Sequence, residues 1–313
     1  MNANHVRHES MRDMHMNFSQ LQSFVAVAET GSFTEAGYTI DLTQSAVSHA
    51  LAALESELGV TLLERNHTGV VALTNVGHSI LPHVRALLAH AETIQQEAKA
   101  ARGLAKGKLR LGSIPPISPR LLAGVLTHFQ QQYPDIEVAL FEGTLQEVQE
   151  WIGTSMIDVG FVHHPAKEVE STLITTDEMQ VFVARGHRLH ARTSVTVNEL
   201  REERLIMPRT GCEVPEMFDQ KRGKHGPPIR YQASEGATIV AMVREGLGIT
   251  ILPRMMLPEK LEGICGIPLD PPRQLQIGLA VRSQATASPG ATLFVQTAVA
   301  WVQEQAALLP RAR

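Results

Sequence analysis

The sequence is poor in the residues that hold small secreted or metal-dependent proteins together. It has two cysteines in 313 residues, Cys212 and Cys265, which excludes a disulfide framework and a cysteine-rich zinc module. No apolar run reaches the roughly 20 residues that a membrane helix needs, and the N-terminus lacks a secretory apolar core. We therefore expect a cytoplasmic protein.

Positive charge is also scarce. The 28 lysines and arginines are outnumbered by 32 acidic residues, which gives a formal net charge of −4, so the overall composition does not indicate nucleic-acid binding. Residues 17–64 contain no lysine or arginine at all. A case for a DNA-binding protein must therefore rest on local patterns.

The remaining composition is that of an ordinary globular protein. Hydrophobic residues make up 43% of the chain, which is enough to build cores, and the length allows one small domain and a larger one. The polar, histidine- and methionine-rich residues 1–16 are expected to form a disordered tail.

Residues 17–74 have the pattern of a helix-turn-helix with a wing. A run of apolar residues at helical spacing ends at Gly31, where a left-handed residue suits a helix end. Ser32 or Thr34 then caps a short helix, and Thr43 caps the next one after a tight turn. The segment "TLLERNHTGVVALT" predicts two short strands, which would form the wing.

The helix that Thr43 caps has one apolar and one polar face. Val47, Leu51 and Leu54 are spaced to pack against the core. The other face carries Gln44, Ser45, Ser48 and His49. The polar face is therefore available to a partner.

Residues 75–102 predict a long helix with a coiled-coil seam. The seam consists of Ile80, Val84, Leu87, Ala91, Ile94 and Ala98. Pro82 should kink or reset this helix near its start. A helix between two domains cannot satisfy such a seam within one chain, so we infer a dimer.

From residue 107 onward strands and helices alternate. Strands predicted at "KLRLGS", "IEVALFEG" and "DVGFVH" are separated by helices, and the rhythm returns at "RLIMP", "IRYQAS" and "GITILP". This order predicts two similar α/β subdomains with parallel sheets covered by helices. Open α/β units bind ligands beyond the carboxyl ends of their strands, so the loops there form a candidate ligand site.

Several motifs, in order, resemble one family. The stretch "LQSFVAVAETGSFTEAGYTIDLTQSAVSHALAALESELGVTLLERNHTGVVALTNVG" resembles, without a gap, the N-terminal domain of LysR-type transcriptional regulators. The segments "YPDIEVALFEG", "IDVGFV", "GHRLH" and "IVAMVREGLGITILP" are similar to the effector-binding domain of that family, in the usual order. The resemblance covers the chain except for residues 1–16.

The resemblance implies a multidomain fold. It comprises an all-α winged helix-turn-helix, a long dimerisation helix, and a two-lobed α/β effector domain similar to type II periplasmic binding proteins. These domains would occupy residues 17–74 (with the helix-turn-helix at about 33–52), 75–102 and 103–313. Lobe one would comprise about 107–177 and 281–305, and lobe two about 178–280.

The implied function is sequence-specific binding of double-stranded promoter DNA, modulated by a small-molecule effector between the lobes. Family members are usually homotetramers, assembled as a dimer of dimers, and RNA polymerase is a candidate further partner. Neither a cofactor nor an enzymatic activity is expected, because no set of nucleophile, base and orienting residue can be assembled. Activation and repression both stay open.

Helix positions and the resemblance together give a set of candidate DNA contacts: Ser32, Thr34, Thr43, Gln44, Ser45, Ser48, His49 and Arg65. A glutamine can pair with adenine, and Arg65 matches a family arginine that meets backbone phosphate. The alternatives are local. Gln44 could instead close the turn, and His49 could be a solvated side chain. Arg65 could pair with Glu64 or Glu57.

The candidate DNA-binding domain is acidic. Residues 17–74 hold six acidic side chains against Arg65 alone, a formal charge of −5. The family usually has a second alanine where this chain has Gly37, proline where it has Ser45, and often a basic residue where it has His49. Because phosphate neutralisation supplies most non-specific affinity, we expect a shallow salt dependence, with affinity supplied by oligomerisation.

Residues at strand ends and helix starts are candidates for the effector site. Lobe one contributes Ser113, Ile114, Thr144 and His163, and lobe two contributes Pro208, Arg209, Ser234, Glu235 and Gly236. Hydroxyls, backbone donors and Arg209 suit a carboxylate or another small anion. Ordinary capping or turn chemistry is the alternative for each.

Two other functions stay open. The acidic N-terminal domain is compatible with a small-molecule-binding protein whose DNA-binding domain is degenerate. Cys212 and Cys265 would suit a cysteine-based redox-sensing regulator, although they are far apart in sequence. The pairs His163-His164 and His187/His190 have no carboxylate or cysteine at ligand spacing, so no metal site is expected.

His49 yields a prediction about pH. If this side chain faces a phosphate, DNA binding should strengthen as the pH falls through about 6 to 7, where histidine gains a proton. The measurement is the Kd for DNA upstream of the protein's own gene, by fluorescence anisotropy across that range. His49→Gln should flatten the response, and an equally steep response in the variant would contradict the assignment.

Overall fold

The computed structural model describes residues 16–65, 71–100, 107–114, 117, 121–209, 227–257 and 261–308. Of the expected tail, residues 1–15 lie outside this range. The chain divides into two compact units, residues 1–95 with 154–156 and residues 96–153 with 157–313. No helix among the described residues is long and apolar enough to cross a membrane.

The N-terminal unit has the predicted helix-turn-helix and wing. Its elements are α1 Phe18–Thr30, α2 Phe33–Thr39, α3 Gln44–Leu58, the antiparallel strands β1 Leu63–Arg65 and β2 Val71–Leu73, and α4 Asn75–Ala100. Gly31 ends α1 with φ 66°, in the left-handed region. The Ser32 and Thr43 hydroxyls cap α2 and α3. Local sequence chemistry thus sets the limits of the helices.

The core of this unit lies between the three short helices and the start of α4. Its fully buried side chains include Phe24, Val27, Val47, Leu54 and Leu62. Leu81 and Val84 of α4 join the same cluster. The beginning of α4 therefore belongs to the core of its own domain.

The predicted seam of α4 divides at Val84. Val84 is buried in its own chain, with Ile80 packed beside it, whereas Leu87 and Ile94 are 41% and 69% exposed. Pro82 lies inside the helix, which continues on both sides of it. Only the later part of the seam is left for a partner.

The first lobe of the C-terminal unit has a five-stranded sheet. Strand β3 Gly107–Ser113 pairs in parallel with β4 Ile136–Glu142 and β5 Val159–His163. Helices α5 Ala123–Gln132 and α6 Leu145–Gly153 follow β3 and β4. The sheet continues through β12 Gln274–Val281 into the first half of β6 Glu170–Ala184, and both of these pairings are antiparallel. The three strands predicted to be parallel are parallel, and the two further strands, β12 and β6, make the sheet a mixed one.

The second lobe is built on the other half of β6. That half pairs antiparallel with β10 Thr250–Pro253 and β11 Ile264–Asp270, and β7 Val195–Thr196 pairs with β11. Strands β8 Leu205–Pro208 and β9 Ile229–Ala233 form a parallel pair beside α7 Gly236–Arg244. Because β12 pairs within lobe one, the chain returns to that lobe at Gln274 rather than at the expected 281.

Each lobe has its own core. The first is lined by β3, β5 and β12 and is closed by Phe129 of α5 and Phe294 of the last helix, α8 Pro289–Leu308. In the second lobe β6 divides its side chains between two faces: Val181 and Val183 enter one cluster and Phe182 the other. This alternation is the period of two that a strand buried on both faces requires.

A close helix contact in lobe one gives a stability prediction. A Cβ on Gly124 of α5 would clash with the indole of Trp301 on α8, whereas one on Gly153, the last residue of α6, would meet nothing within 4 Å. Gly124→Ala should lower the free energy of unfolding by about 1–3 kcal/mol because the contact becomes overpacked. Gly153→Ala should leave it unchanged or raise it by up to about 1 kcal/mol.

Urea unfolding followed by circular dichroism measures both effects. Gly153→Ala is the control, since both substitutions add one methyl to a helical glycine. Equal shifts in the two variants would contradict the packing explanation.

Candidate functional site

The turn before α3 is tight and is held by backbone contacts. The Leu42 N–H donates to the Gly37 carbonyl at 2.9 Å, and a Cβ on Gly37 would lie 2.6 Å from the Leu42 carbonyl oxygen. The Thr43 hydroxyl accepts from the Ala46 N–H at 3.2 Å and lies 3.0 Å from the Ser45 hydroxyl. The small residue at position 37 therefore brings α2 close to the start of α3.

Three of the candidate hydroxyls are used within the fold. Ser32 accepts from the Glu35 N–H at 3.4 Å, and Thr43 and Ser45 are bonded to each other. These side chains keep capping roles. Arg65 is the last residue of β1, opposite Val71, and its side chain lies outside the described part of the structure.

The other candidates keep their polar groups available. Thr34, Gln44 and His49 are exposed and Ser48 is half-exposed. None of the four makes a hydrogen bond to another residue in the described ranges. Gln44 and Ser48 are one helical turn apart on α3, and so share one edge of its polar face. These side chains are free to donate to an external partner.

Two of the acidic side chains in the N-terminal unit stabilise the fold. Glu55 accepts from the N–H groups of Leu62 and Leu63 at 2.6 and 3.2 Å, which fixes the strand that begins the wing. Glu29 pairs with Arg85 of α4 at 3.0 Å. A charge count that stops at residue 74 omits this arginine, but residues 75–95 also add Glu92, so the formal charge over residues 17–95 is still −5.

In lobe one, the carboxyl ends of β3, β4 and β5 meet at one edge of the sheet. Ser113 ends β3, and its carbonyl accepts from the Gly143 N–H at 3.0 Å. His163 is half-buried at the end of β5. The side chain of Ile114 is 1% exposed and packs in the lobe core. Its place in the effector site stays a prediction.

Thr144 closes a reciprocal cap at the start of α6. Its N–H donates to the Glu147 carboxylate at 2.7 Å, and its hydroxyl accepts from the Glu147 N–H at 3.2 Å. The bond from the Thr144 backbone holds the pKa of Glu147 below its ordinary value. The local capping role expected as the alternative for Thr144 is present.

In lobe two, the ends of β8 and β9 lie side by side next to a helix start. Pro208 pairs with Ala233, and the Arg209 N–H donates to the Ala233 carbonyl at 3.1 Å. The next residue, Ser234, is exposed to solvent. Glu235 precedes α7, which begins at Gly236, and makes no side-chain cap. The first N–H groups of α7 therefore have no capping side chain, and Arg209 follows the adjacent strand.

An aromatic side chain near the lobe-one edge was missed in the sequence. Trp151 of α6 packs over Gly143, where a Cβ would clash with its ring. The ring also meets Phe141 edge-on, with centroids 6.4 Å apart. Trp151 could have been identified from the sequence, because it lies on the apolar side of α6, one residue before Ile152.

The cysteine and histidine side chains considered as redox or metal sites make contacts within the protein. Burial raises the pKa of the Cys265 thiol, against a smaller opposing effect of Arg185, and Cys212 lies outside the described residues. His164 bonds to the Ser171 hydroxyl at 2.9 Å, and His187 lies 3.2 Å from the Glu203 carboxylate. Within the described ranges, no group of three or more histidine, cysteine or acidic side chains is placed to hold a metal.

Comparison with protein families identifies both units. The pattern described as "Bacterial regulatory helix-turn-helix protein, lysR family" matches residues 18–78, and "LysR substrate binding domain" matches residues 102–303. The chain belongs to the LysR family of transcriptional regulators. The resemblance inferred from the motifs is thereby confirmed. This family consists of regulators rather than enzymes.

Individual relatives of this LysR-family regulator span nearly its whole length. The uncharacterized HTH-type transcriptional regulator YvbU of Bacillus subtilis (strain 168) is 38% identical over 290 residues, covering 90% of this chain and 98% of its own. A full-length point variant of OxyR from Pseudomonas aeruginosa shares the fold with a TM-score of 0.76 at 22% identity, over 93% and 95% of the two chains. Full-length CbnR complexed with its target DNA has a TM-score of 0.61 at 26% identity, over 91% and 100%.

The Glu55 anchor gives a prediction in which charge and geometry oppose each other. Glu55→Ala removes a negative charge but leaves the buried Leu62 N–H without its acceptor, which should cost about 1–3 kcal/mol of stability. We expect it to weaken DNA binding because the wing loses its anchor. Glu55→Gln removes the same charge, keeps an acceptor oxygen, and should bind DNA at least as tightly as the unaltered protein.

Both variants are measured by urea unfolding and by the Kd for DNA upstream of the protein's own gene. Tighter binding by Glu55→Ala than by Glu55→Gln would show that charge, rather than wing geometry, decides affinity.

Proposed function

We propose that this LysR-family regulator reads promoter DNA chiefly through neutral side chains of α3, with Gln44, Ser48 and His49 as its main contacts. The observation that carries the proposal is the polar face of a correctly capped helix, on which the side chains of Gln44, Ser48 and His49 have no hydrogen-bond partner within the described structure. Amide and hydroxyl groups can bond to base edges and phosphates without a net charge. Thr34 and the start of α3 add donors beside them.

Oligomerisation of the chain compensates for the weak electrostatic attraction between the acidic DNA-binding domain and DNA. The exposed Leu87 and Ile94 of α4 are an apolar row suited to a second copy of the chain. Two linked domains bind two half-sites at a high effective concentration. A homotetramer, formed as a dimer of dimers, would extend this effect. The structure of CbnR, a protein of similar fold, is a complex with its target DNA, which supports DNA binding by this chain.

The effector in this proposal is a small anion, such as an organic acid. Arg209 and the uncapped start of α7 offer a charge and backbone donors at the ends of β8 and β9. Ser113, Thr144 and His163 mark the corresponding strand ends in lobe one. An anion that prefers one arrangement of the lobes would shift the population between two states of the regulator. No other cofactor is needed.

The two alternative functions are less well supported. A degenerate DNA-binding domain has no need of capped helices, a tight turn and a free polar face, all of which are present. A cysteine switch needs a readily formed thiolate, and burial acts against this at Cys265. Promoter binding also places the protein in the cytoplasm, with RNA polymerase within reach.

The test combines DNA selection with an effector panel. The full-length protein selects duplexes from a random-sequence pool at low salt, and footprints on the selected duplex are recorded with and without organic acids and amino acids. Ser48→Ala should weaken binding several-fold, by the loss of one hydrogen bond per protomer, and keep the oligomer. Arg209→Gln should bind DNA normally and lose the effector response.

Trp151 supplies a direct readout of effector binding. The chain has two tryptophans, so Trp301→Phe leaves Trp151 as the single fluorophore, next to Gly143 at the lobe-one edge. An anion that changes the footprint should change this emission. Failure to enrich any duplex would contradict the DNA-binding proposal. An undiminished response in Arg209→Gln would contradict the anion site.

A further inference from the structure

One exposed aromatic side chain in the N-terminal unit has no role in the fold. Tyr38 of α2 is 81% exposed, more than any other large hydrophobic side chain among the described residues. Its hydroxyl makes no hydrogen bond to another described group. A tyrosine without a packing or bonding role, on an otherwise well-packed domain, is a candidate for an intermolecular contact.

The position of Tyr38 on α2 is defined by Gly37. The side of α2 at Gly37 faces the start of α3, because a Cβ there would meet Leu42 and the backbone of Thr43 and Gln44. Tyr38 is the next residue of the helix, and Thr34 lies one turn before it. Tyr38 is therefore about 100° round the helix from the side that faces the start of α3, on the same flank as Thr34.

The side of α2 opposite Gly37 is different, and it adjoins Tyr38, because Glu35 is three residues before Tyr38 and lies about 60° from it round the helix. It carries Glu35 and Thr39, and the Thr39 hydroxyl donates to the Glu35 carbonyl at 3.0 Å. A carboxylate on that side would repel a phosphate, and the hydroxyl there is already bonded. The donors Thr34 and Tyr38 therefore lie between the side of α2 that faces α3 and the acidic side that carries Glu35.

The electrostatics of the domain require donors of this kind. Residues 17–64 contain no lysine or arginine, and Arg85 is paired with Glu29. In helix-turn-helix proteins the first helix crosses the DNA backbone while the second enters the major groove. A phenol on the first helix can donate to a phosphate oxygen, and it loses little conformational freedom because it has two rotatable bonds.

We propose that Tyr38 is a DNA-backbone contact that donates its hydroxyl hydrogen to a phosphate next to the bases read by Gln44. The inference rests on the DNA-binding function proposed above. It adds a neutral phosphate anchor on α2 to the polar face of α3.

The test measures Kd as a function of salt for the full-length protein on a duplex that the wild type has selected from a random-sequence pool. Tyr38→Phe keeps the ring and removes the donor, so binding should weaken about tenfold, as expected for a hydrogen bond to a charged group. The slope of log K against log salt should stay the same, because no cation is lost. Tyr231→Phe, at a 43% exposed tyrosine of β9, is the matched control and should bind as the wild type does.

Phosphate replacement locates the partner. In duplexes with one phosphate replaced by a neutral methylphosphonate, one position should weaken the wild type but leave Tyr38→Phe unaffected, which is the coupling expected of two groups in contact. A Kd for Tyr38→Phe equal to that of Tyr231→Phe would overturn the proposal. So would a weakened Tyr38→Phe that shows no such position. If the wild type selects no duplex, the proposed function itself fails, which is a separate result.

Discussion

The effector-binding unit depends on one continuous strand. The 15 residues of β6 pair with β12 up to Glu178 and with β10 and β11 from Met179 onward. Both lobes are thus attached to the same backbone, and the change of partner falls between two adjacent residues. The Asp177 carboxylate accepts from the Met255 N–H at 2.7 Å beside this point, and Leu275 of β12 packs against the cores of both lobes. Any rotation of one lobe against the other has to be accommodated here.

In the DNA-binding unit, the constraint is a shortage of positive charge. Two of its acidic residues are bonded within the fold: Glu55 at the base of the wing, and Glu29 in a pair with Arg85. Recognition by neutral groups favours geometric selectivity over general attraction to DNA, since neutral donors act only at hydrogen-bonding distance. Such a regulator should spend less time on non-specific DNA than a basic one.

Features set by neighbouring residues could be read from the sequence, and features set by distant pairing could not. Caps at Ser32 and Thr43, the left-handed Gly31 and the βαβ order are local signals, and the structure contains them all. Strands β6, β11 and β12 were not predicted, because their antiparallel partners are far along the chain. The same limit applies to the pair of Arg85 and Glu29, which are 56 residues apart in the sequence. The burial of Ile114 could not be predicted either, because a position after a strand does not show whether its side chain turns inward.

The division of α4 at Val84 has a consequence for how the regulator is controlled. From Leu87 to Ala98 the exposed part of the seam spans about 16 Å at the rise of an α-helix, roughly three turns. Association through such a seam depends on protomer concentration. The concentration of the protein in the cell then affects how much of it is assembled, in addition to the effect of the bound effector. A change in its own expression would alter promoter occupancy more than proportionally.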